Sequence, residues 1–195
     1  KCGSGEEAVH VAAGLIAFGS ADVVVAGGAE NMSRVPMGSN RSIHGEAFGW
    51  MVADRYEMTG QGEAAERLCD QWGLIREELD AFAVESHRRA AAAAHAGHFQ
   101  KEIVSVPVAQ VREKGTEGEA PLFSADETIR PGTAAEKLAT LKTSFRTDGR
   151  LTAGNSSQIS DGAAALLLMS SAKAQALGLK PRARIRAMTT VGSDP

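Results

Sequence analysis

The sequence predicts an α/β protein, on three observations. Residues 4–19 read as a helix, with Val9, Ala12, Ala13, Ile16 and Ala17 at helical spacing. The run Ala21-Asp22-Val23-Val24-Val25-Ala26-Gly27-Gly28 follows at once and reads as a short, fully buried strand. Far downstream, residues 162–169 (GAAALLLM) repeat that apolar pattern and lead into another helix. Helix beside buried strand, at both ends of the chain, is the grammar of a layered α/β domain.

Each element follows in order. The many Ala and Gly of 4–19 predict a helix packed tightly inside the protein, stopped at Gly19. From 29 to about 151 the texture changes, with Gly, Pro, Met and charges scattered and helices amphipathic. Residues 62–72 place Ala64, Ala65, Leu68 and Trp72 on one face. Residues 77–96 place Leu79, Phe82, Ala83, Ser86 and Ala90 on one face, with Arg88 and Arg89 outside. Residues 103–108 read as an edge strand, because Pro107 has no N–H for a ladder. Residues 112–120 (REKGTEGEA) read as a solvated loop, and 133–141 as a short helix after Pro131-Gly132. Strand 162–169 is followed by a helix over 170–177, stopped by Gly178 with Pro181 beyond, and then by a partly exposed strand over 182–190. Three parts result: 1–28, an insertion over 29–151 between two strands of one sheet, and 152–195.

Composition narrows the function. A chain of 195 residues holds one sizeable core, or a little more. Lys+Arg 21 against Asp+Glu 24 gives a net charge of −3, a poor match to nucleic acid or an anionic membrane as main partner. Two cysteines build neither a disulfide scaffold nor a zinc cluster, and a reducing, cytoplasmic setting is the simpler expectation. No stretch approaches the ~20 apolar residues of a membrane span. Lys1 at one end and Asp194-Pro195 at the other lead to the expectation of a piece of a longer chain.

Two segments carry the chemistry. Cys2-Gly3-Ser4-Gly5 opens an apolar helix, where free N–H groups and the positive end of the helix favour a thiolate. Flanking glycines let a carbonyl approach, as a nucleophilic cysteine requires. A small buried Cys in a glycine-rich turn is the competing reading. Thr152-Ala153-Gly154-Asn155-Ser156-Ser157-Gln158 supplies small, hydrogen-bonding residues that let backbone lie against a ligand; an ordinary turn has the same composition. Arg130, in Asp126-Glu127-Thr128-Ile129-Arg130-Pro131, suits a phosphate, or else an ion pair with Asp126 or Glu127. Cys69 beside Leu68 reads as a buried structural thiol. None of His10, His44, His87, His95 and His98 has metal-ligand spacing with another ligand, and no metal is expected. His95 and His98 read as cations at a helix C-terminus.

Taken together these segments resemble the thiolase family of acyl-CoA C-acyltransferases. The matching stretches are KCGSG at 1–5, ADVVVAGGAENMSRVP at 21–36, DAFAVESHRRAAAA at 80–93, DETIRPG at 126–132, LKTSFRTDGRLTAGNSSQISDGAAALLLMS at 141–170 and GLKPRARI at 178–185. The resemblance implies a layered α/β/α fold with an inserted α+β loop domain that holds coenzyme A, here the insertion at 29–151. It implies that Cys2 is the acyl-accepting nucleophile of 3-oxoacyl-CoA cleavage, or of the reverse condensation, in acyl-CoA degradation. Among CoA contacts it implies Arg130 near the nucleotide end, Phe145 beside the CoA, Ala153 and Ser157 along the pantetheine, and Met58 lining the pocket. CoA and acyl-CoA are then substrates, no separate cofactor is implied, and the full-length protein is a homodimer or homotetramer.

The departures are local. Glu57 stands where several short-chain members carry His, Lys137 where some carry a CoA-contacting Ser, and Ile75 where a helix-capping Ser is common. Thr59-Gly60-Gln61-Gly62-Glu63 replaces the commoner Gly-x-x-Ala-Glu, with Glu63 kept. Segments 37–58, where chain-length determinants mostly lie, match least. The family's Asn-Glu-x-Phe, Gly-His-Pro and Cys-x-Gly motifs, which supply the activating histidine and the proton-moving cysteine, do not occur in 1–195. The expectation is therefore that this stretch alone is inactive. A non-catalytic acyl-CoA-binding module is the alternative of a different class; a cysteine hydrolase of unrelated fold would need a His and an acid near Cys2.

Overall fold

Alternating short helices and brief strands follow from the punctuation in the sequence. The computed structural model describes residues 2–46, 48–107 and 122–192. In chain order the elements are α1 (Ser4–Ala17), β1 (Val23–Glu30), α2 (Ser39–His44), α3 (Trp50–Arg55), α4 (Gln61–Trp72), α5 (Arg76–His95), β2 (Val106–Pro107), β3 (Leu122–Phe123), α6 (Ala135–Ala139), β4 (Gly162–Met169) and α7 (Ser171–Ala176). Two compact units divide the chain: Lys1–Met58 with Ile159–Pro195, and Thr59–Gln158.

The first unit is built on α1, β1 and β4. Gly19, at φ +80°, lies just beyond the end of α1, and the N–H of Ser20 returns to the Leu15 carbonyl at 2.9 Å. β1 and β4 pair antiparallel, from Val23 opposite Met169 to Glu30 opposite Gly162. Ala12 of α1 packs with Ala26 and Leu168, and Ala8, Val9, Ala13, Ile16 and Val24 border this small core. The predicted helical face and both predicted apolar strands are therefore present. Their predicted enclosure is not. Val25 is 68% and Leu167 59% exposed, and Val11 and Leu15 of α1 face outward. The reason is geometric: the sheet of β1 and β4 has two strands, so both strands are edges. Strand β1 also runs through Gly27-Gly28 to Glu30 instead of stopping there.

At the far end of the strand pair, Ser33 clips the turns together. Its N–H donates to Asp161 Oδ1 at 2.8 Å and its hydroxyl to Asp161 Oδ2 at 2.6 Å. These bonds hold the Asp161 carboxyl below the usual carboxylate range. Ser170 caps α7, accepting from the Lys173 N–H at 3.1 Å. Residues 182–190, expected to be a strand, are exposed and pair with no strand among the described residues, so they form no ladder. Helices α2 and α3, set off by Gly38, Gly45 and Gly49, are six residues each and bury no side chain. They were not predicted, since six residues are too few to show a helical period.

In the second unit α5 and α6 pack together, with Leu138 buried. Helices α4 and α5 lie where the sequence places them. Their inward faces are not the apolar ones: Leu68, Trp72 and Phe82 are exposed, while Glu66, Cys69 and Asp80 are buried. The two carboxylates go inside because they satisfy backbone and side-chain donors, as described below. The predicted strand 103–108 shrinks to Val106–Pro107, paired antiparallel with Leu122–Phe123. Val108 and the predicted loop 112–120 lie outside the described residues. No helix among the described residues is long and apolar enough to cross a membrane.

Candidate functional site

Cys2 lies in the turn before α1 and is exposed, so the reading of a buried small Cys does not apply. Gly3 is the N-cap residue, and no side chain caps the helix. The first N–H groups of α1 are thus left without a side-chain acceptor, which suits an anion at this end, while Glu6 and Glu7 place negative charge in the same turn. His10 Nδ1 lies 3.5 Å from Glu7 Oε2 on the same helix. An open depression of about 470 Å³ runs between α1 and β1, lined by Ser4, Glu7, Ala8, Val11, Val25 and Gly27. Met58, half-buried at the end of the first unit, donates its N–H to the Tyr56 carbonyl at 2.9 Å. Cys2 and Met58 belong to the first unit; Arg130, Phe145, Ala153 and Ser157 belong to the second.

Arg130 is presented by a braced turn. Asp126 accepts from both the N–H and the hydroxyl of Thr128, which holds its carboxyl low. The N–H of Arg130 donates to His87 Nδ1 of α5 at 3.2 Å, and Gln158 Nε2 donates to the Thr128 carbonyl at 3.2 Å. The last bond sets the Arg130 segment beside the Ser157 segment. The Arg130 side chain is exposed and forms no ion pair with Asp126 or Glu127.

Phe145 lies over the start of α4. A Cβ at Gly62 would stand 2.1 Å from Phe145 Cδ1, so only glycine admits the ring at this distance. The ring remains 52% exposed beside a depression of about 620 Å³ lined by residues 141–147. Its neighbour Arg146 is fixed by two carboxylates of α4: Nη2 to Glu63 Oε1 at 2.6 Å, Nε to Glu63 Oε2 at 2.9 Å, and Nη1 to Asp70 Oδ2 at 2.6 Å. Arg150 Nη1 also donates to Asp70 Oδ1, at 2.7 Å. The Arg146 guanidinium draws the Glu63 carboxyl down to about 2, helped by Arg67. Asp70 is lowered by Arg146 and then Arg150.

Beneath Ala153 and Ser157 lies a set of buried polar groups. Glu66, 0% exposed, accepts the N–H of Arg150 at 3.0 Å on each oxygen and the N–H of Leu151 at 2.9 Å. A Cβ at Gly149 would come within 2.3 Å of Glu66 Oε1, which makes the glycine part of this seat. Asp80, 3% exposed, joins Arg76 Nε at 2.7 Å to Asn155 Nδ2 at 2.9 Å. Asn155 Oδ1 in turn accepts the Thr152 N–H at 2.8 Å, and the buried Thr152 Oγ1 accepts the Gly154 N–H at 3.1 Å. The segment 150–155 is thereby held by Glu66 and Asp80, with Ala153 in it and Ser157 just beyond it both exposed. Periodicity missed Glu66 and Asp80 because it assigns carboxylates to the solvent face; Asn155 stood within the segment already singled out.

The remaining sequence candidates have plainer places. Cys69 is buried as expected, and burial pushes its thiol up, with the Glu66 charge adding to it. Lys137 is exposed on α6. Among the described residues no group of three or more His, Cys, Asp and Glu is placed to hold a metal ion.

Comparison with known proteins places these features in one family. A family profile described as the thiolase N-terminal domain matches residues 1–172. An acetyl-CoA acetyltransferase of Allochromatium vinosum is 42% identical over 204 residues, covering 100% of this chain and 50% of that protein. An acetyl-CoA acetyltransferase of Pseudomonas aeruginosa is 45% identical, covering 100% of this chain and 51% of its own length. A 3-ketoacyl-CoA thiolase of Bacillus subtilis is 44% identical over 199 residues, again covering 100% of this chain and 50% of its own. The chain spans about half the length of the relatives it matches. With the profile covering most of its residues, the chain belongs to the thiolase family.

Proposed function

We propose that this chain is the nucleophile-bearing part of a thiolase-type acyltransferase that cleaves 3-oxoacyl-CoA through an acyl-enzyme on Cys2. One observation carries the reading: in a chain of this family, Cys2 stands exposed immediately before α1, with no side chain capping the helix. The Cys2 thiolate attacks the 3-oxo carbon, a thioester forms, and the bond between C2 and C3 breaks. The carbanion of acetyl-CoA takes up a proton and leaves. The thiol of CoA then attacks the enzyme thioester, yielding an acyl-CoA two carbons shorter and returning the Cys2 thiol. Dividing one carbon–carbon cleavage into two thioester steps is the gain from covalent catalysis.

In this reading the insertion holds CoA within a layered α/β/α fold. Arg130 pairs with phosphate at the nucleotide end, Phe145 lies beside the CoA, Ala153 and Ser157 follow the pantetheine, and Met58 lines the pocket. Its relatives, an acetyl-CoA acetyltransferase and a 3-ketoacyl-CoA thiolase, support an acyl-CoA substrate and a role in acyl-CoA degradation. A homodimer or homotetramer is the proposed assembly of the full-length protein.

The test uses the full-length protein with acetoacetyl-CoA. Mass spectrometry is expected to find an acetyl adduct on the peptide holding Cys2, and Cys2→Ser is expected to abolish both adduct and thiolysis. CoA binding without adduct or turnover would instead favour a non-catalytic CoA-binding module. The isolated 195-residue chain is expected to show no thiolysis, because no Gly-His-Pro or Cys-x-Gly motif lies in it to supply a base or a proton carrier. Measurable acetoacetyl-CoA cleavage by that chain would overturn this part of the proposal.

A further inference from the structure

The reading above places Ala153 and Ser157 on CoA but gives no part to the buried carboxylates beneath them. We infer that Glu66 and Asp80 are positioning residues that preset the backbone of 150–155 for the pantetheine arm of CoA. The inference rests on the CoA-binding reading of that segment.

Three features support it. First, the inward-facing donors of the segment are taken up. Glu66 accepts the N–H groups of Arg150 and Leu151, Asn155 accepts that of Thr152, and Thr152 accepts that of Gly154. Second, the clasp is anchored in rigid elements rather than within the loop. Glu66 belongs to α4, and Asp80 belongs to α5, where Arg76 holds it. Arg76 also donates to the carbonyls of Leu138 and Leu141, tying α5 to the chain that precedes the segment. Third, the outer side is left open. Ala153 and Ser157 are exposed, and the Ser157 hydroxyl has no hydrogen-bond partner among the described residues. Backbone already fixed in its binding shape loses little freedom when an extended amide-bearing ligand lies along it, and affinity rises for that reason alone.

A charge buried for overall stability would serve equally well with its loop facing any direction. A charge buried to preset a binding surface has a sharper signature: its loss raises KM for CoA and leaves kcat nearly unchanged. Glu66→Gln keeps the size but leaves one oxygen for both N–H groups and turns an amide N–H toward that of Arg150. Asn155→Ala cuts the link between Asp80 and the segment while leaving the Arg76–Asp80 pair in place.

The experiment measures thiolysis kinetics and CoA binding by calorimetry on the full-length protein and both variants, with thermal melts to verify folding. The expected result is a rise of about tenfold in KM and Kd for CoA, with kcat at saturating CoA within about threefold of wild type. Should Glu66→Gln fail to fold, the milder Asn155→Ala decides. Folded variants with unchanged KM and Kd, beside a wild type that binds CoA, overturn this inference and leave the CoA-binding reading standing. A wild type that does not bind CoA overturns both.

Discussion

Glu63 lies between Arg67 and Arg146, and its carboxyl is drawn to about 2 chiefly by the Arg146 guanidinium. A carboxylate with a lowered folded pKa stabilises the fold fully above its unfolded value, near 4.5. That contribution fades as pH falls from there to about 2. Circular dichroism of an acid titration is therefore expected to show second-unit helix lost in this window, and Arg146→Gln is expected to move the loss to higher pH. An unmoved midpoint would show that the pair contributes nothing, as many exposed pairs do. Gly149 makes a second residue-scale case. Gly149→Ala would press a methyl group on Glu66 Oε1, and is expected to lower stability by about 1–3 kcal/mol in urea unfolding, in line with overpacking. The sequence showed Cys2 by its place at the head of an apolar helix, and Arg130 and Ser157 through the family resemblance. It did not show Glu66, because its partners Arg150 and Leu151 are 84 and 85 positions away.

At the scale of elements, α5 has Ile75 as its N-cap, which has no side-chain oxygen to offer the helix's first N–H groups. Glu78 supplies only the return half of a capping box, accepting the Ile75 N–H at 3.1 Å. Ile75→Ser completes the box and is expected to stabilise the protein by about 1 kcal/mol, read as a raised urea midpoint. Ile75 is half exposed, so little burial is lost against this gain. A lowered midpoint would mean that the lost isoleucine packing outweighs the completed cap. Helices α4 and α5 were legible because twelve or more residues carry a period and Gly73 marks the end of α4. Helices α2 and α3 were not, being single short turns between glycines. The segment 182–190 failed in the opposite sense: its composition suits a strand, but a strand exists only when a neighbour supplies its ladder.

For the whole molecule, the sheet of β1 and β4 is the telling part. α1 covers Ala26 and Leu168, whereas Val23, Val25 and Leu167 alternate onto the opposite face and stay at least partly exposed. Exposed apolar edges of this kind promote association. The isolated 195-residue chain is expected to sediment as oligomers at micromolar concentration, and Leu167→Lys is expected to shift it toward monomer. A monodisperse wild-type chain would contradict this expectation. Local period and local motif were enough to read α1, β1, β4, α4 and α5, the position of Cys2 ahead of α1, and the family. The antiparallel register of β1 with β4, the solvent-facing sides of both strands, and the burial of Glu66 and Asp80 emerge only in three dimensions. Burial and hydrogen-bond satisfaction depend on partners many residues away in the chain, and no local pattern encodes which of them will meet.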